Sequence, residues 1–282
     1  MTSERLERVT RGPLTFPVID SGPLDGTPVV LLHGFPLMAS SWAKVAEQLH
    51  LRGYRTYAMD QRGYAPGARP RGRWAYRISQ LAGDAIALID AIASGPVHLV
   101  GHDWGATVSW TVAAEYPDRI RSLTTLSVPH SSAFAGSMLR SNQLIRSYYM
   151  ALFNIPLLPE WTIRRRPAAI DASLRKSGMT DGMLATFHSE VVDKGGLTGA
   201  LNWYRALWIV SPSAGRKKVS VPTTHVWSTG DDALARIGAE LTQRFVSGPY
   251  ELRILEGISH WIPEEAPAEV AEIVDARARS VG

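Results

Sequence analysis

The chain has 282 residues, 45% hydrophobic and 20% charged, enough to bury a core of domain size as one α/β domain with an insertion or as two small domains. Its formal charge of +4 comes from scattered arginines, and the one tight basic run, Arg164-Arg165-Arg166, lacks the aromatic interleaving of a nucleic-acid binder and reads as solvated surface. The absence of cysteine excludes disulfides, thiolate metal sites and thiol nucleophiles.

Short apolar runs alternate with helical patterns, which predicts an α/β fold with a mostly parallel, twisted sheet covered by helices on both faces. Val29-Val30-Leu31-Leu32 is a buried strand ending at His33-Gly34-Phe35-Pro36. Tyr54 to Met59 is the next strand, closing at Asp60-Gln61-Arg62-Gly63 before a loop rich in Pro, Gly and Arg. Leu81, Ala85, Leu88, Ile89 and Ile92 share one face of a helix expected from Ser79 to Ala93. The strand Val97-His98-Leu99-Val100 leads into Gly101-His102-Asp103-Trp104-Gly105-Ala106 and a helix to Glu115, stopped by Pro117. A strand from Ser122 to Val128 follows.

From about Pro129 to Val221 the strand signals vanish. Amphipathic helical stretches, such as Gln143 to Phe153 and Leu197 to Ile209, alternate with Pro and Gly breaks, and their combined length predicts a lid rather than a loop. The sheet pattern resumes with Thr223 to Trp227, a helix from Leu234, the strand Tyr250 to Leu255 and a terminal helix from Pro263. The expected division is a core of residues 1–129 and 221–282 carrying a helical cap of residues 130–220. No apolar run approaches the ~18 residues of a membrane span, and Met1 to Gly12 has no apolar signal-peptide core. A cytoplasmic protein with no membrane and no nucleic-acid partner is the default expectation.

The segment around Asp103 has the strand-turn-helix form of a nucleophile elbow, in which small residues let a sharp turn lift one side chain above the sheet. Here the lifted residue is an aspartate. A serine in that place makes acyl-enzymes, whereas a carboxylate is a useful nucleophile toward a saturated carbon bearing a leaving group, such as an epoxide or an alkyl halide. Asp231 and Asp232 follow the strand ending Trp227-Ser228-Thr229-Gly230, and His260 follows the last strand in Gly257-Ile258-Ser259-His260-Trp261. The chain order Asp103, Asp231, His260 is the nucleophile, acid, histidine order of α/β-hydrolases. Each residue has a plain structural alternative: a turn aspartate, a satisfied core histidine, an N-cap at Asp232 for the helix near Leu234. His33 and His102 read as supporting or packing residues, and His130 as a residue at the lid entrance.

Over nearly its whole length the chain resembles an α/β-hydrolase of the epoxide hydrolase group. The resemblance runs through the oxyanion loop, the aspartate elbow, the helical cap, the acid and the terminal histidine. Leu201-Asn202-Trp203-Tyr204-Arg205 resembles the segment carrying one ring-opening tyrosine. More loosely, Tyr149-Met150-Ala151-Leu152-Phe153 with Pro156 resembles the segment carrying the other, with Tyr148 beside it as the alternative.

The resemblance implies that an epoxide becomes a vicinal diol through an alkyl ester of Asp103. Tyr149 and Tyr204 would protonate the epoxide oxygen, His260 oriented by Asp231 would activate water, and the backbone N–H groups of Phe35 and Trp104 would form the oxyanion hole. Phe35, Trp104 and Trp203 are expected to line the substrate pocket, which the aromatic cap, including Phe153, Trp161 and Trp208, makes apolar. No metal or organic cofactor is expected. The expected partners are a small apolar epoxide and water, and a homodimer is allowed. The runner-up is a dehalogenase, in which the Trp104 indole would serve the halide, although haloalkane dehalogenases usually carry Asn where Phe35 stands and the fluoroacetate type Arg where Trp104 stands. A ligand-binding relic of the fold without turnover is a third, weaker reading.

Overall fold

The structure, a computed structural model, describes residues 4–92, 95–207, 209 and 217–281. The described residues form one eight-stranded sheet from β1 (Arg8–Arg11), β2 (Leu14–Ser21), β3 (Thr27–Leu32), β4 (Tyr54–Met59), β5 (Val97–His102), β6 (Ile120–Leu126), β7 (Thr223–Ser228) and β8 (Tyr250–Leu255). The order is β1-β2-β4-β3-β5-β6-β7-β8. From β4 to β8 every pair is parallel, while β1 and β2 form an antiparallel hairpin that joins β4 antiparallel at the edge. Sequence reading missed that hairpin. Its first strand is an arginine-flanked Val-Thr pair, and as an edge element it needs no continuous apolar run. Arg55 on β4 pins it by a buried bidentate bond to Asp20 on β2, Nε to Oδ1 at 2.8 Å and Nη2 to Oδ2 at 2.6 Å.

The central strands are buried on both faces, so their side chains divide by the two-residue period of a strand. Val30 and Leu32 of β3 and Leu99 of β5 pack against α2 (Ile78–Ile92) and α3 (Trp104–Glu115). Val29, Leu31 and Val100 face the other way, against α1 (Ala43–His50) and the long C-terminal helix (Pro267–Arg279). Truncating a fully buried leucine such as Leu31 or Leu32 to alanine should cost about 2–5 kcal/mol. Helix α2 begins at Ile78, and the expected end at Ala93 lies outside the described residues.

Between β6 and β7 the chain runs through α4 (Ser131–Met138), α5 (Gln143–Arg146), α6 (Tyr148–Phe153), α7 (Leu158–Arg165), α8 (Pro167–Lys176), α9 (Asp181–Thr186), a π-helical stretch at Phe187–Val192 and α10 (Leu197–Ala206). The single helix expected from Gln143 to Phe153 is two short ones broken at Ser147, whose hydroxyl takes a bond from Gln143 Nε2 at 2.9 Å. These helices lie over the carboxyl ends of the strands. Trp203 Nε1 donates to the Arg62 carbonyl in the loop after β4 (2.8 Å), and Gln143 and Arg146 bond the loop after β7. After β7 come α11 (Arg236–Thr242), then β8, α12 (Ile262–Glu265) and α13 (Pro267–Arg279).

Candidate active site

The turn between β5 and α3 depends on what surrounds it. A Cβ at Gly105 would strike the Leu32 carbonyl, and one at Gly101 would strike the Gly105 carbonyl and Ser109, so glycine at both places lets α3 start directly against the sheet. The chain reverses at Asp103, which has φ 52° and ψ −119°, a conformation that costs a non-glycine residue about 1–3 kcal/mol and is retained where the surroundings enforce it. Gly34 completes the fit, because a side chain there would collide with the Asp103 carboxyl.

The Asp103 carboxylate is buried. Its Oδ1 accepts the Phe35 N–H at 2.7 Å, and the nearby Trp104 backbone N–H helps to hold the carboxyl down. Its Oδ2 faces His260 Nε2 at 3.6 Å, an ion-pair distance rather than a hydrogen bond. On the far side of the imidazole, Nδ1–H donates to Asp231 Oδ2 at 2.8 Å. Burial alone would drive the proton off His260, but Asp231 and then Asp103 outweigh it and hold the imidazole up at about 10. Burial also raises the Asp103 carboxyl, yet the facing imidazolium and the Trp104 N–H leave it below the usual carboxylate range. The resting pair is therefore imidazolium against carboxylate.

The supports around this triad were only partly visible in the sequence. Asp231, not Asp232, caps the turn toward Leu234: its Oδ1 accepts the N–H groups of Ala233 (2.8 Å) and Leu234 (2.9 Å) while its Oδ2 holds His260. Asp232 is exposed, and the helix starts only at Arg236, which corrects the expected N-cap. The His260 carbonyl is held by His102 Nε2–H and by Ser127 Oγ–H, both at 2.9 Å. Burial, then the neighbouring imidazolium, pushes His102 down to about 4, so it is a neutral donor. His33 is equally committed: Nδ1–H donates to the Gly34 carbonyl (3.1 Å) and Nε2 accepts the Gln61 N–H (3.0 Å).

Two residues that sequence reading did not single out connect the helical insertion to the acid. Gln143, fully buried on α5, donates to the Ala233 carbonyl (2.8 Å) and accepts the Ala235 N–H (2.7 Å). One turn on, Arg146 donates to the Asp231 carbonyl at 2.8 Å. Their partners are backbone atoms some 90 residues away, so only the three-dimensional fold reveals them.

Above Asp103 lies a small cavity of about 60 Å³, lined by Asp103, Trp104, Thr107, Val128, Phe134, Tyr149, Met150, Tyr204, Leu207 and Leu234. Both candidate tyrosines are on its wall, with ring centroids 5.9 Å apart. Tyr148, the alternative, points outward and is exposed. Tyr204 packs edge-on against Trp104 (5.1 Å), Phe35 (5.3 Å) and Phe153 (5.0 Å). Burial raises both phenols well above the ordinary tyrosine value; the Asp103 charge adds to this at Tyr149, and the neighbouring Tyr149 and then Asp103 add to it at Tyr204. They remain protonated.

Neither Phe35, whose ring packs against Phe153, Phe187 and Tyr204, nor Trp203 reaches the cavity wall. Consecutive helical residues point about 100° apart, so with Tyr204 facing the cavity, Trp203 faces the Arg62 loop and is fully buried between Tyr64, His33 and Trp104. Its expected substrate contact is thus replaced by a structural one. Trp161 is half exposed on the outer surface, Phe153 stands behind Tyr204, and Trp208 lies outside the described residues. Among the described residues no cluster of three or more metal-ligating side chains occurs.

A sequence profile of the alpha/beta hydrolase fold matches residues 27–267. Epoxide hydrolase A of Mycobacterium tuberculosis is 31% identical, over 90% of this chain and 90% of its own. AB hydrolase superfamily protein YfhM of Bacillus subtilis is 32% identical over 97% of this chain and 98% of its own. The crystal structure of epoxide hydrolase A from Mycobacterium thermoresistibile superposes with a TM-score of 0.83 at 27% identity, covering 98% of both chains. With an aspartate at the elbow and these relatives along its length, the chain belongs to the α/β-hydrolase fold family, in its epoxide hydrolase group.

Proposed function

We propose that this protein hydrolyses an epoxide to a vicinal diol through an ester on Asp103. The observation that carries the reading is the single cavity shared by an ionised elbow carboxylate and two protonated phenols. An epoxide oxygen leaves as an alkoxide too basic for neutral water, so ring opening needs a proton donor beside the nucleophile. Asp103 attacks the ring carbon from the face opposite the oxygen, and Tyr149 and Tyr204 hydrogen-bond that oxygen and protonate it. The C–O bond of the ring breaks as the ester C–O bond forms.

The charge balance then changes in a useful direction. Esterification removes one of the two negative charges that keep the proton on His260, and the phenolate left by ring opening takes that proton. His260 becomes a neutral base held in place by Asp231. It draws a proton from water, whose oxygen attacks the Asp103 carboxyl carbon, and the N–H groups of Phe35 and Trp104 stabilise the oxyanion. Collapse expels the diol as an alkoxide, which takes the proton that His260 drew from water, and the proton of the new Asp103 carboxylic acid then passes to the neutral His260. Support for Phe35 and Trp104 in this role comes from the resting carboxylate, which receives the Phe35 N–H and is held down by the Trp104 N–H beside it.

Dehalogenation on the same scaffold has less behind it. A halide leaves without a proton, so the two phenols on the cavity wall would have no part in its expulsion. The test is a panel of apolar epoxides and haloalkanes with product analysis. Diols without halide release are the expected result, and halide release with untouched epoxides would overturn the reading. The substrate is expected to be small and apolar, because Val128, Phe134, Met150, Leu207 and Leu234 supply most of the wall.

A further inference from the structure

Most of the large apolar side chains exposed in the described residues lie in one stretch, between Leu139 and Trp161. Ile145 on α5, Tyr148 and Leu152 on α6 and Ile155 just beyond it are all exposed and together form an apolar outer face across the break at Ser147. The exposures are large: Leu139 90%, Ile145 75%, Leu157 77%. The opposite side of the same helices is also occupied, with Gln143 and Ser147 buried and Tyr149 and Met150 on the cavity wall. A surface helix of a soluble protein normally presents polar residues outward. Here the outward face is apolar and uncovered.

Within residues 139–170 the exposed charges have one sign. Arg140, Arg164, Arg165 and Arg166 are exposed, and Arg166 sits over the Trp161 ring at 5.6 Å. From residue 139 to 170 the only acid is Glu160, which is buried and held by Arg205 through bonds of 2.7 and 2.9 Å. Along the chain Arg164-Arg165-Arg166 is an ordinary solvated run with no membrane partner expected. In the fold it ends the helix that exposes Leu158 and Trp161, next to the helix that exposes Tyr148 and Leu152.

We infer that the outer face of α5, α6 and α7 is a docking surface for membranes containing anionic lipid. Leucine, isoleucine, tyrosine and tryptophan supply the apolar contact at the headgroup boundary, and the arginines supply the attraction to negative headgroups. A two-fold contact with a second copy would set this arginine-bearing patch against a patch of the same composition, with no exposed acid in the stretch to pair the arginines. No helix of the described residues is long and apolar enough to cross a membrane, so docking is peripheral. It places the cavity wall formed by Tyr149 and Met150 one helix diameter, about 10 Å, from the lipid surface.

The test is co-sedimentation of the full chain with phosphatidylcholine vesicles with and without phosphatidylglycerol, which reads binding and does not depend on the reaction. Binding is expected only to the anionic vesicles and should fall as salt rises. Arg164→Gln/Arg165→Gln/Arg166→Gln should weaken it by roughly 100-fold, about fivefold per arginine. Ile145→Ser/Leu152→Ser should weaken it at least about tenfold through lost apolar contact. Both variants should keep wild-type melting and turnover of a water-soluble epoxide. Equal binding to neutral vesicles, or none to anionic ones, would overturn the proposal. So would a wild-type dimer in sedimentation velocity that the same substitutions dissociate, since a second copy would then cover the face.

Discussion

At the carboxyl edge of the sheet, Asp103, Asp231 and His260 are fixed by directional bonds: the Phe35 N–H on the elbow carboxylate, two N–H groups on Asp231 Oδ1, and two donors on the His260 carbonyl. In the helices above, Tyr149 and Tyr204 are placed mainly by ring packing against Phe153, Phe35, Trp104 and each other. Hydrogen bonds fix a group to tenths of an ångström, whereas edge-on ring contacts tolerate centroid distances of 4.5–7 Å. In the proposed mechanism the second half-reaction, which needs an aligned base and oxyanion hole, relies on the rigid half, and ring opening, which must fit the substrate, relies on the adaptable half.

The largest expected effect breaks the rigid half. His260→Gln should lower turnover by about 10⁴-fold while leaving alkylation in place, because only hydrolysis of the ester needs the base. Intact-protein mass spectrometry should then show an adduct of substrate mass on the peptide containing Asp103; an unmodified enzyme would contradict the assignment. Next come the phenols. Tyr204→Phe and Tyr149→Phe should each slow alkylation by about 10²-fold and leave hydrolysis of the preformed ester nearly unchanged, with the double variant far worse than either. Pre-steady-state rates decide it, and unimpaired ring opening in both variants would remove the tyrosines as the acid.

The link between the halves gives a smaller effect. Gln143→Leu removes the bonds to Ala233 and Ala235, and with them part of the support for the Asp231 loop. We expect about tenfold slower ester hydrolysis with unchanged alkylation, on top of roughly 1–3 kcal/mol of lost stability. Equal slowing of both half-reactions would mean Gln143 merely supports the fold. The remaining effect is on the pH dependence of stability and leaves the chemistry untouched. His260 binds its proton more tightly folded than unfolded, so its contribution is complete below the unfolded value near 6.5 and is lost as pH rises through about 10. Melting temperature should therefore decline across that window in the wild type and less steeply in His260→Gln. Parallel curves for the two proteins would contradict the charged resting pair.

The same division decides what the sequence alone discloses. Val29 to Leu32 and Val97 to Val100 read as strands because burial on both faces leaves uninterrupted apolar runs, and Asp103 stands out because Gly101 and Gly105 flank it in a strand-turn-helix context. The helical insertion carries weaker marks. Residues next to one another on a helix point in different directions, so choosing Tyr149 over Tyr148, or Tyr204 over Trp203, needs the phase of the helix, which short and broken elements do not supply. Whether Asp231 or Asp232 caps its turn is the same kind of question. Gln143, Arg146, His102 and Ser127 hold backbone atoms of distant segments, and no local pattern marks a side chain whose partner is a carbonyl or an N–H elsewhere in the chain.

The claim on which the rest depends is that Asp103 forms an ester. A single turnover of the wild-type enzyme in water enriched in heavy oxygen tests it most directly. The first diol should carry no label, because its new oxygen comes from the Asp103 carboxylate, and the label should appear in the peptide containing Asp103. Labelled diol from that first turnover, with an unlabelled carboxylate, would mean that water attacks the epoxide directly and that Asp103 is not the nucleophile.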